Sequence, residues 1–587
     1  MTNPFVSYLN TLHSGDANNK GALAESQAKE PLFAQLQVEH PWAQEIFESL
    51  VGDNGRAVIL SGHAGDGKST IAIEILKRLK GIEQTQILPG GLQKEESVLL
   101  NDRSITVVKD LSECTEADRE AIFTKLLAGE RYLLISNTGT LLDFFKRRTD
   151  RIGKSYVEVE NDLLTALDSS EKRAMNLGID FDVYNLAQYD NVGIGLSLLA
   201  RMVDSQEWAR CGECQCHDSC PILRNRDLIA KYRERIIDRI GLLYFRAYSY
   251  GERLTMRQIS AHFSYMLTSG LDCSSVNNKA LTGDLGPLER NLFVNRFWGD
   301  DGTEDEPGAL QMKAIRVFGE QHLNSQYSPA LERGFWDADE HAVNFESVPE
   351  VAEAAMRILK RSRRVTKPRE AAFARRMWRR MVFFLYEPDA ADQNAAAAYA
   401  RFESAFLDSP MILSFKKWQS HPDSFKAKSL QPSLFSVLQE EFCGFLPLEG
   451  ASQSKELYIT LRRKAPDIRQ SAQLVLRRFN FSENFRLVIN SSARNTPWLM
   501  GMGNLEGIGL ELNLPFLDYI VTRKAGAIGR GLSLSYRDRL EKLMAQIVYR
   551  LPERDVDGLL ILRHQENGKL STVSVNVTDE GLEVNND

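Results

Sequence analysis

The short apolar run RAVIL at 56–60 leads into SGHAGDGKST, and that in turn into the amphipathic stretch IAIEILKRLKG. Gly62, His63, Ala64, Gly65, Asp66, Gly67, Lys68 and Ser69 spell G-x-x-x-x-G-K-S. This pattern constrains the fold because its chemistry needs a particular backbone. Phosphate oxygens are held by N–H groups turned inward. Glycines supply the unusual φ/ψ angles and the close approach, and the following helix offers its positive N-terminus. Lys68 reaches the terminal phosphates and the Ser69 hydroxyl suits Mg²⁺, with Thr70 beside it. Gly62, Gly65, Gly67, Lys68 and Ser69 are therefore the expected nucleotide contacts. Strand, loop and helix must follow in that order, and Gly81 is a natural stop for the helix.

The neighbouring sequence continues the alternation. SITVVKD and RYLLISN read as strands, EADREAIFTKLLAGE and TLLDFFKRR as helices, and FDVYNLAQ as a later strand. Strand alternating with helix predicts a parallel α/β sheet over 51–191, preceded by a helical adaptor at 1–50. From Val192 the apolar spacing turns helical, which predicts a lid over 192–345. GDDGTEDEPGA at 299–309 reads as a surface loop or linker close to a boundary. The last region, 346–587, reads as helical and then mixed α+β, with FRLVIN, GLLILRH and STVSVNVT as strands around a helix at YRDRLEKLMAQIVYR.

Hydrolysis at a phosphate loop needs an acid at a neighbouring strand end to support Mg²⁺, and usually a second to polarise the attacking water. VVKDLSE offers Asp110 for the first role and Glu113 for the second, or only an acidic strand-to-helix turn. Asn137, at the tip of RYLLISN, suits a polar sensor of the γ-phosphate, although Asn-Thr-Gly is also good turn chemistry. The order of loop, acid and polar sensor is that of the AAA+ class. Arg147 and Arg148 then stand where such proteins carry an arginine finger, or else they are basic residues favoured at a helix C-terminus. Arg257, in ERLTMRQISAHFSYM, is either a nucleotide-sensing arginine of the lid or a solvated one.

CGECQCHDSCP places Cys211, Cys214, Cys216 and Cys220 close together with His217 among them. A structural Zn²⁺ closed by four thiolates is the leading expectation, but C-x-C-x-x-x-C is not the usual second half. An iron–sulfur cluster and free or disulfide-bonded thiols stay open. Cys114, Cys273 and Cys443 read as isolated buried thiols.

Charge is uneven. Residues 346–587 hold 35 Lys and Arg against 29 Asp and Glu, a net of +6, so the first 345 residues carry −13 of the total −7. RILKRSRRVTKPREAAFARRMWRR packs eleven basic residues around one acid, Glu370. Such density suits phosphate-backbone contact with DNA, with Trp378 available for stacking, or docking onto an acidic partner, or simply a solvated helix face. No nuclease motif, no Ser/His/Asp or Cys/His nucleophile and no acceptor motif of a P-loop kinase is evident. The N-terminus lacks a signal-peptide pattern and no stretch is long and apolar enough to span a membrane, so a cytoplasmic protein without membrane contact is expected.

SGHAGDGKST, VVKDLSE and LLISNTG, followed by a Cys-rich insertion ahead of an Arg-bearing helical lid, together resemble the DptF family, over about residues 55–270. These are ATPase-like components of phosphorothioation-dependent restriction systems in bacteria. The resemblance implies an AAA+-like P-loop ATPase that uses ATP and Mg²⁺. It would work beside two partner proteins, and with further copies of itself, on DNA lacking phosphorothioate marks, as anti-phage defence. Gly62, Gly67, Lys68, Ser69 and Thr70 would contact the nucleotide and Asp110 would support Mg²⁺. A scaffold that binds ATP without turning it over is the alternative from a different class.

Overall fold

The computed structural model describes residues 2–13, 30–53, 55–100, 102–169, 171–321, 323, 345, 347–364, 366–389, 391–444, 456–461, 472–491, 494–526, 532–552, 558–564 and 570–586. Two compact units divide at Tyr399/Ala400.

The first unit is built on a six-stranded sheet of β1 (Ala57–Ser61), β2 (Glu95–Leu100), β3 (Arg103–Val108), β4 (Arg131–Ser136), β5 (Arg173–Asn176) and β6 (Asp180–Asn185). Their spatial order is β2-β3-β4-β1-β6-β5. β3, β4, β1 and β6 run parallel, with Ile59 opposite both Leu134 and Val183. The two edge strands are antiparallel. The expectation of a wholly parallel sheet is thus corrected at both edges, where β2 and β5 pair locally with the strand that follows them.

β1 is buried along its whole length because both its faces are covered. Val58 and Leu60 meet the helices Pro41–Val51 and Lys68–Leu79. Ala57 and Ile59 meet the opposite layer of Glu116–Leu127, Thr138–Lys146 and Tyr156–Leu167. A fully buried aliphatic side chain is worth about 1.5–3 kcal/mol, so β1 is a rigid base for the loop that leaves it. That loop leaves where the chain order switches from β4 on one side to β6 on the other, the crevice in which open α/β sheets take ligands.

Above the sheet stand the helices Val192–Asp204, Pro221–Lys231, Arg233–Ser249 and Met256–Thr268, as the helical spacing predicts. The described helices of the first fifty residues pack into two different layers instead of standing apart as an adaptor. Helix Pro4–His13 packs on Met256–Thr268, where Asn10 donates to the carbonyl of Leu271 at 2.9 Å and Phe5 meets Trp208 edge-on. Helix Pro41–Val51 lies on the sheet.

The basic helices Pro349–Ser362 and Pro368–Leu385 belong to this first unit. Arg380 forms a two-pronged ion pair with Asp300, its Nη1 at 2.5 Å and Nη2 at 2.8 Å, and both side chains are buried. Arg357 and Arg361 converge on buried Glu289 at 3.1 and 3.4 Å. These pairs correct two expectations. The acidic stretch at 299–309 is no linker, because Asp300 anchors it in the interior. Trp378 is 1% exposed, so it is core and offers no face to a base.

In the second unit the helices Ile412–Ser420, Ala427–Cys443, Leu514–Lys524 and Leu534–Arg550 accompany two antiparallel sheets. One has the order β11 (Gly509–Glu511), β10 (Thr496–Gly501), β9 (Phe485–Asn490). The other runs β14 (Gly581–Asn586), β13 (Leu570–Thr578), β12 (Gly558–His564), β8 (Ala472–Asn480), β7 (Glu456–Leu461). Among the described residues no helix is long and apolar enough to cross a membrane.

Candidate functional site

Three glycines of the loop need their lack of a side chain, each for its own reason. Gly62 would press a Cβ against Leu186 at 2.9 Å. Gly65, at φ +87°, has Arg257 and Thr255 within 3.1 Å of that position. Gly67 has open space around it, but its φ of +97° favours glycine, and it caps the helix Lys68–Leu79 without a side-chain acceptor. The N–H groups of that first turn are left to whatever fills the loop, and an anion is the group they suit.

Lys68 folds back over the loop, donating to the carbonyls of Gly62 at 2.7 Å and His63 at 2.9 Å. Burial pushes its ammonium down, Asp66 and Asp110 pull it up, and Arg257 adds to the push. The loop, Asp110, Asn137 and Arg257 all line one cavity of about 640 Å³. Ser69 and Thr70 stand on its floor. Leu12, Phe33, Leu36, Ile194, Leu198 and Met202, from the segments before β1 and from the lid, give the same cavity an apolar lining. Gln37 and His40 border the cavity and are tied to the loop helix: Lys77 donates to Gln37 at 3.4 Å, and the His40 N–H donates to Glu74 at 3.3 Å. Glu74 is buried, which raises its carboxyl to about 7.

The other expected residues divide. Asp110 leaves β3, accepts from the Ser112 N–H at 2.8 Å and keeps an edge on the cavity. Asn137 caps Thr138–Lys146 through the Thr140 N–H at 2.9 Å while bordering the cavity, so the turn role and the cavity position hold together. Glu113 is not on the cavity wall; it pairs with Lys109 at 3.2 Å, four residues earlier. Arg148 is buried, donating to the Phe144 carbonyl at 2.7 Å and Glu116 at 2.8 Å and lying over the Phe144 ring. Those bonds hold a helical layer together. Arg147 is exposed and pairs with Asp143 at 2.8 Å.

Arg253 is a residue that sequence reasoning missed. It donates to Asp66 at 2.8 Å and to the carbonyls of Tyr189, at 2.9 Å, and Leu186. Asp66, 1% exposed, in turn accepts from the His63 N–H at 2.7 Å. The Arg257 N–H donates to the Gly65 carbonyl at 3.1 Å. The lid thus grips the loop at two successive residues, Gly65 and Asp66. The signal was an Asp inside the loop, which needs a buried partner, and an arginine just ahead of the lid helix.

All seven cysteines are free thiols. Among the described residues no group of three or more His, Cys, Asp or Glu side chains is set to hold a metal ion. Cys211, Cys214 and Cys220 nevertheless border one small cavity, which Cys216 does not reach. Cys273 borders it too, correcting the expectation that it is isolated; Cys114 and Cys443 are buried apart from it. No protein-family model, curated protein or solved structure matches the chain.

Proposed function

We propose that the first unit is a P-loop NTPase core of AAA+-like type that binds a nucleoside triphosphate with Mg²⁺ and hydrolyses it. The observation that carries this is a glycine loop at the switch point of the sheet. Its uncapped helix start, Lys68 and Arg257 face one cavity together. The Arg257 guanidinium makes no hydrogen bond or ion pair among the described residues, so it brings to the cavity a positive charge that an anion would neutralise. The Ser69 hydroxyl and the Asp110 carboxylate are the groups that would hold Mg²⁺, which supplies charge neutralisation at the transferring phosphoryl group. The loop N–H groups and Lys68 bind the phosphates, Arg257 orients the terminal one, and the apolar lining of the cavity takes the base and excludes water. Asn137 is the polar group available to orient the attacking water.

The resemblance to the DptF family supplies the setting. The hydrolysis cycle would drive or gate a partner nuclease in a bacterial restriction module that attacks DNA lacking phosphorothioate marks. Partner subunits and DNA are then the receivers of the conformational change. In that reading Arg147, which is exposed, is the finger available to a neighbouring copy, and Arg148 is a core residue.

Purified chain with Mg-ATP, alone and with duplex DNA, should release phosphate, and Lys68→Ala should abolish the release. ATP that stays bound and intact under both conditions would replace hydrolysis with the scaffold role. Absence of any ATP binding would end the NTPase reading.

A further inference from the structure

Four of the chain's seven cysteines meet around one enclosed space of about 20 Å³, although one of them is more than fifty residues from the rest. Cys211 and Cys214 come from the loop after helix Val192–Asp204, and Cys220 caps the helix Pro221–Lys231. Cys273 begins the helix Cys273–Thr282. The sulfurs are surrounded by donors. Asn3 donates its backbone N–H to Cys273 at 3.4 Å and its side-chain amide to Cys211 at 3.2 Å. The backbone N–H groups of Ile222 and Leu223 hydrogen-bond to Cys220. A thiol is a weak acceptor, whereas a thiolate is a good one, and ligating sulfurs characteristically receive such outer N–H bonds.

We propose that Cys211, Cys214, Cys220 and Cys273 form a structural Zn²⁺ site, with Cys216 outside it. Four sulfurs converging on one small space and ringed by N–H donors are the donor set of a closed tetrahedral zinc site, with the C-x-x-C spacing at its start. The thiols ring the space without standing at ligand distance, and the ion draws them in, as expected where metal binding and local folding are coupled. His217, which also borders it, is exposed and turned to Asp218, so a fifth ligand is not required. The site ties three segments at one point: the N-terminal residues through Asn3, the loop after the first lid helix, and the helix that follows Met256–Thr268. Helix Pro4–His13, which starts beside Asn3, carries Leu12 to the apolar wall of the large cavity.

Metal analysis of the full-length chain, purified without chelator, should find about one zinc per chain. Cys220→Ser and Cys273→Ser should lose it, and Cys216→Ser and His217→Ala should keep it. Differential alkylation of the unaltered chain gives a second reading that does not depend on a variant folding. Cys216 should react at once, and Cys211, Cys214, Cys220 and Cys273 only after a zinc chelator is added. Any one of these results would overturn the proposal: zinc retained in Cys273→Ser but lost in Cys216→Ser, Cys273 alkylated as fast as Cys216 in the untreated chain, or no zinc taken up from added Zn²⁺. Iron absorbance in place of zinc would do the same.

Discussion

Two parts of the first unit are rich in cations, and they treat them in opposite ways. In the basic helices the charges are answered: Arg380 by Asp300, and Arg357 and Arg361 by Glu289. In the large cavity Lys68 hydrogen-bonds only to carbonyl oxygens and the Arg257 guanidinium has no acceptor among the described residues. The basic stretch has far more positive residues, yet its most buried one is already neutralised by the fold. A cation that the fold leaves unanswered is the better pointer to a ligand, because the desolvation cost of that charge has yet to be offset. Cation density in the sequence measures something else, namely how many acids must be found elsewhere.

This contrast is open to direct attack. Arg380→Ala leaves the Asp300 carboxylate buried without its partner, and breaking such a pair costs about 3–5 kcal/mol. A fall in the urea midpoint corresponding to that loss is expected, and an unchanged midpoint would erase the difference between the two regions. Lys68→Ala should leave the midpoint close to that of the parent while lowering phosphate release by at least about a hundredfold. Stability and turnover would then separate by region. Arg257→Ala should weaken Mg-ATP binding by about 1.5–3 kcal/mol, the range for a hydrogen bond to a charged group, as read by calorimetry. Equal binding by the variant would show that the cavity charge is solvated and serves nothing.

The pair Asp300 and Arg380 also carries a pH signature. Burial alone would raise the Asp300 carboxyl, but Arg380 and the Gly302 N–H outweigh it and hold the group below its usual 3.8. A folded-state value below the unfolded one gives stability that is present above about pH 3.8 and is lost as the pH falls through the folded value. Asp300→Asn should flatten the acid limb of the stability curve in that range, and a limb of unchanged slope would contradict the assignment. The smallest effect is expected at Arg364, exposed and 3.8 Å from exposed Glu370. Arg364→Ala should move stability by less than about 0.5 kcal/mol.

The fold was legible where burial is continuous. RAVIL, SITVV, RYLLIS and FDVYN are apolar on both faces because both faces are covered, and each became a strand of the parallel core. EESVLL and RAMN were not legible, since an edge strand covered on one side alternates weakly and reads like a loop. In the site, the loop residues followed from local chemistry alone. Arg253 and Cys273 did not, because each acts through a partner far along the chain, Asp66 in one case and Asn3 with the cysteine loop in the other. The basic stretch misled for the mirror reason: the acid that neutralises Arg380, Asp300, comes from a stretch whose Gly and Pro content reads as linker.

The grip of Arg253 on Asp66 and of the Arg257 N–H on Gly65 makes the phosphate loop a mechanical extension of the lid. A hinge motion of Met256–Thr268 cannot occur without either dragging the loop or snapping a buried ion pair. Lid angle is therefore transmitted as loop shape, and, if the loop binds phosphates as proposed, loop shape would set their escape rate. A partner that pulled on the lid would be setting a residence time, like a hand on a clock's escapement.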